Sequence, residues 1–93
     1  MSRNSILDFA RVCQLAQEAR LQITTAHFDG INFGFWQVEL RNKGEAVPQI
    51  TWEARDRWFC IQTRQSDGSW ANDEVIKESQ AVVLDDLIKR LAE

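Results

Sequence analysis

Tyrosine is missing from this chain, and proline and histidine occur once each. The two cysteines, Cys13 and Cys60, fall inside regular segments rather than at paired loop spacings. That excludes a disulfide framework and the ligand spacing of a zinc site, and it reads as two buried, reduced thiols. The four glycines are scattered through turns, so there is no phosphate-cradling run. A lone His27 offers no Ser-His-acid or Cys-His arrangement. Asp29, Asp67 and Asp73 lack the spacing of a calcium loop, and the adjacent Asp85 and Asp86 do not converge as a catalytic pair would. No run approaches the ~20 apolar residues of a membrane span. The first twenty residues carry Arg3, Asp8, Arg11, Glu18 and Arg20, which argues against a secretory signal. These absences lead to the expectation of a cytoplasmic, non-enzymatic protein with no cofactor and no metal.

A cationic field is absent too. Eleven Lys and Arg stand against fourteen Asp and Glu, a net charge of −3, so phosphate-driven nucleic-acid binding has no overall support. What is present is aromatic bulk: four Trp and five Phe in 93 residues, each ring able to bury ~150–250 Å². With 44% hydrophobic residues the composition is that of a folded chain. Two cores in this length would each be too thin to fold alone, so residues 1–93 are expected to form a single domain.

The chain is organised around Phe33 to Arg64. Three runs there alternate apolar and polar residues: Phe35 to Arg41, Gln49 to Glu53, and Trp58 to Arg64. Successive strand side chains point to opposite faces, so a period of two with aromatic and β-branched residues predicts half-buried strands. Before them, Phe9, Val12, Cys13, Ala16 and Ala19 recur at helical spacing, with Ser5 placed to cap and Asp8 in the first turn. Leu21 to Thr25 reads either as more helix or as an extended segment. Asp29-Gly30 and Ser66-Asp67-Gly68-Ser69 are turns. Trp70-Ala71 opens a short fourth strand or precedes a helix from Asp73. Ser79 is placed to cap a last helix with Val82 or Val83, Leu84, Leu87, Ile88 and Leu91 on one stripe. The predicted class is α+β: a small antiparallel meander of three strands, or four, covered on one face by N- and C-terminal helices, in the order α-β-β-β-(β)-α.

Alternation assigns Trp36, Val38, Leu40, Ile50, Trp52, Phe59 and Ile61 to the helix-covered face. The other face is mostly polar, yet it receives Phe33, Phe35, Trp58 and Cys60. Aromatic rings rimmed by Arg and Gln match the composition of contact surfaces. The candidate interface residues are therefore Phe33, Phe35, Trp58 and Arg64, with Arg55 and Arg57 at the rim. A one-residue slip would exchange the two faces.

The element order resembles that of double-stranded-RNA-binding domains. That family contacts phosphates through a Gly/Lys-rich approach to its last helix, where this chain has Asp73, Glu74 and Glu78, so the resemblance stops at element order. Arg55, Arg57, Arg64 and Trp58 leave single-strand stacking as a weaker option. The favoured expectation is a protein-binding module, acting as a homodimer, adaptor or inhibitor. The alternative is a small-molecule binder with Trp36, Trp52 and Trp70 lining a cleft between sheet and helices.

Overall fold

The computed structural model describes residues 4–31, 34–43, 45–46, 48–78 and 84–92. Phe33, Ser79, Val82 and Val83 lie outside them.

Helix α1 spans Ser5–Glu18 and is capped one residue earlier than expected: Leu7 N–H donates to Asn4 Oδ1 at 3.3 Å. Asn is as good a cap as Ser, and it leaves Ser5 inside the first turn with Asp8 at the positive end of the dipole. Val12, Leu15 and Ala16 face the core. The helix closes with Arg20 in the left-handed region (φ 62°) and a Leu21 N–H to Ala16 O bond of 2.9 Å, which turns the buried Leu21 into the sheet.

Six strands follow: β1 Gln22–Asp29, β2 Phe35–Asn42, β3 Glu45–Ala46, β4 Gln49–Glu53, β5 Trp58–Arg64 and β6 Trp70–Lys77; helix α2 spans Leu84–Ala92. The spatial order β1-β2-β4-β5-β6 is an antiparallel meander, with the two-residue β3 paired only to β2. The α+β class and the meander stand, but the sheet has five full strands, not three or four. Of Leu21 to Thr25, Gln22 onward belongs to β1, and the acidic stretch after Trp70 is strand rather than helix.

Both additions are edge strands, and each carries an irregularity: the register shifts between Ile23 and Thr25 in β1 and between Ile61 and Gln62 opposite β6, leaving Thr24 and Asp73 unpaired. A bulge twists an edge away from the flat geometry that templates strand addition.

The face assignment holds. Trp36, Val38, Leu40, Ile50, Trp52, Phe59 and Ile61 are all buried, in one cluster with Val12, Leu15 and Ala16 of α1 and Leu84, Leu87 and Ile88 of α2. Rings run through it in a chain: Phe28 to Phe9 (5.7 Å), Phe9 to Trp36 (6.0 Å), Trp36 to Phe59 (6.0 Å) and Phe59 to Trp52 (4.8 Å). These are tilted contacts at the separations aromatic pairs prefer. Arg11 to Asp85 (3.1 Å) ties α1 to α2, and Arg90 to Glu74 (2.7 Å) ties α2 to β6. Asn42 Nδ2 donates to Ala92 O at 3.0 Å, holding the end of α2 to the sheet. Trp36 and Trp52 lie in this packed core while Trp70 lies on the opposite face beside Arg64, so the three indoles share no cleft.

Candidate interaction surface on the open sheet face

Cross-strand register sorts the uncovered face into four rows. The first is Asp29–Phe35–Glu53–Trp58–Lys77, continuing the β2–β4 register by one residue. The second is His27–Gln37–Thr51–Cys60–Val75, and the third is Thr25–Glu39–Gln49–Gln62–Asn72, placed by the same continuation. The last is Gln22–Arg41 on one side and Arg64–Trp70 on the other. The bulge at Asp73 sets this alignment: it reverses the alternation of β6, so that Trp70, Asn72, Val75 and Lys77 share the open face while Glu74 and Ile76 turn to the helices.

The centre of the face is recessed. Thr51 and Cys60 are each only 2% exposed, and Gln49 4%, although both helices pack on the opposite side. Small side chains flanked by Phe35, Gln37, Trp58 and Gln62 explain the shielding, since cross-strand neighbours stand only ~5 Å away. A line of amides stiffens the floor: Gln49 Nε2 donates to Gln62 Oε1 at 2.7 Å, and Gln62 Nε2 donates to Asn72 Oδ1 at 2.7 Å. Burial pushes the Cys60 thiol up, and the Thr51 hydroxyl beside it offsets part of that rise. Among the described residues Thr51 Oγ1 has no hydrogen bond of full geometry. Cys13, partly covered on α1, is also raised by burial. A thiol held above its ordinary range is a poor nucleophile at neutral pH.

The expected interface residues do not form one patch. Phe35 and Trp58, both half-buried, share the first row with Glu53 between them. Burial raises the Glu53 carboxyl, and Asp56 in the following turn raises it further. Arg55 is exposed in that turn. Arg57 belongs to another environment. Its backbone is left-handed (φ 58°), its guanidinium grips Glu78 at 2.6 and 2.8 Å, and it lies 5.8 Å from the centre of the Trp52 ring, on the helix-covered side. The pair with Glu78 raises Arg57 further. This pair shares the lining of an open depression of about 370 Å³ with Asp56, Trp58 and Lys77. Arg64 sits at the far end of β5, six residues from Trp58 and so about 20 Å away. It lies 5.1 Å over the ring of Trp70.

Trp70, Val75 and Lys77 complete the surface, beyond the residues that alternation in the central strands points to. The strong turn at Ser66 to Ser69 held the clue, because its flanking residues Arg64 and Trp70 must pair in a hairpin. Val75 is 39% exposed there. His27 is exposed on the β1 edge, opposite Gln37. Among the described residues there is no group of three or more potential metal ligands and no helix long and apolar enough to cross a membrane. The chain matches no protein-family model, no curated protein and no solved structure.

Proposed function

We propose that this domain works by protein–protein contact through its open sheet face, without catalysis of its own. The observation that supports this most is the position of Phe35 and Trp58: half-buried rings on the one broad face that neither helix covers. Large rings on a preformed sheet lose little entropy when a partner covers them, which is why aromatic residues concentrate the energy of interfaces. The edges support the same choice, since a bulge on each discourages association by strand addition. Of the original candidates, Phe35, Trp58 and Arg64 remain surface anchors on this face, with Arg55 at its rim. Arg57 is committed to Glu78 and belongs to the fold. Phe33 lies outside the described residues.

Sedimentation velocity over a concentration series tests the reading. Wild-type chain is expected to associate, and Phe35→Glu, which places a charge in the contact, to abolish that association while the monomer keeps its melting temperature within several degrees. Association that ignores Phe35→Glu would refute it, and a chain that is monomeric at every concentration would remove the self-association branch.

A further inference from the structure

Resting on that reading, we propose that the occupant of the open face is a second copy of this chain, related by a two-fold axis that crosses the strands between the Thr51 and Gln49 rows. The argument starts from a division of labour along β5 and β6. Trp58 and Lys77 stand at one end of the hairpin, and Arg64 and Trp70 at the other. Each end holds one indole and one cation, in opposite order. Within a single chain Trp58 and Arg64 are about 20 Å apart and cannot meet.

A two-fold axis across the strands exchanges the first row with the last. It sets Trp58 against Arg64 of the second copy, Lys77 against Trp70 of the second copy, and Phe35 against Arg41 of the second copy. Every one of these is a cation facing a ring, and each occurs twice by symmetry. The amides then face a hydroxyl and a carboxylate, Gln49 meeting Thr51 and Gln37 meeting Glu39, which keeps polar groups among polar groups.

The competing axis, along β4, fails on charge. It would set Arg41 against Arg64 twice and Glu53 against its own symmetry mate, three like-charge meetings that outnumber the two Asp29–Lys77 pairs it also makes. Like charges brought together across a drying interface oppose association, so the charge pattern selects the first axis. The area is compatible with a reversible dimer. Five strands at ~4.8 Å spacing and about seven residues of length cover on the order of 500 Å² per copy, at the lower edge of specific interfaces. Two such sheets pack at about 30° to each other, a rotation that long Arg and Lys side chains span. Association in the micromolar range is the expectation.

The axis makes a prediction that a shared face alone does not. Neither Trp58→Ala nor Arg64→Ala can form a Trp58–Arg64 pair with itself. A mixture of the two can, because the Trp58 left in one variant meets the Arg64 left in the other. Native mass spectrometry of an equimolar mixture should therefore show heterodimer about 2- to 5-fold above the level expected from the two homodimers, the value of one regained cation–ring contact. If Trp58→Ala perturbs folding, Trp58→Leu keeps the bulk and removes the ring face. A purely statistical mixture, with Phe35→Glu still dissociating the wild-type assembly, overturns the axis and leaves the contact face standing. Association untouched by Phe35→Glu overturns both, and no association at all overturns the second copy as the occupant.

Discussion

Trp58 and Phe59 are adjacent in sequence and lie on opposite faces of β5, so truncating each in turn measures the sheet's polarity directly. Phe59 is fully buried and stands between Trp36 and Trp52. Phe59→Ala removes all of the ring carbons from a site walled by two indoles and the β4 and β6 backbones, where little can collapse. The expected cost is about 3–5 kcal/mol. A domain of this length holds roughly 5–14 kcal/mol in total, so the variant should lose more than about 15 °C in melting temperature and sit near the edge of folding. Trp58 is half-buried with no helix above it, and Trp58→Ala should cost only about 1–2 kcal/mol. Urea titrations of both variants, run well below any association threshold, provide the comparison. Equal losses would mean that Trp58 is as structural as Phe59 and that the face taken as open is sealed.

Two further outcomes follow from single positions. Burial and Asp56 raise the Glu53 carboxyl, so the folded state holds that proton more tightly than the unfolded chain does. Its stabilising contribution is full below the unfolded pKa and is lost as pH rises through the folded one. Glu53→Gln should therefore gain on wild type in thermal melts between pH 4 and pH 7, and a constant difference would refute the cause. Gly34 has φ 81°, and a Cβ built there would run into the Ser5 hydroxyl. Gly34→Ala should cost about 1–3 kcal/mol in chemical denaturation, with Ser5→Gly restoring only the share due to collision; full restoration would show that the backbone angle carries no cost.

The central strands were legible because burial on one side leaves a period-two signature, and β2, β4 and β5 all carry it. The edge strands were not. In β1 nearly every residue from Gln22 to His27 is at least partly wet on both faces, so composition is free to be polar throughout, and the bulge at Thr24 breaks what alternation remains. In β6 the unpaired Asp73 shifts the phase midway, which made Asn72 to Lys77 look weakly helical. Alternation also placed Phe35 and Trp58 on the uncovered face. It had no hold on Arg57, whose left-handed backbone swings the side chain to Glu78 and Trp52. Nor does alternation measure distance along a strand, so Arg64 shares a face with Trp58 while standing about 20 Å from it.

The four indoles divide two and two across the sheet, with Trp36 and Trp52 sealed in the core and Trp58 and Trp70 on the uncovered side. The chain thus carries two optical reporters under one emission band. A dissolved quencher such as iodide reaches the outer pair and spares the inner one, so quenching at low denaturant follows contact, and the blue-shifted remainder follows unfolding. One cuvette can separate the two events with no added dye.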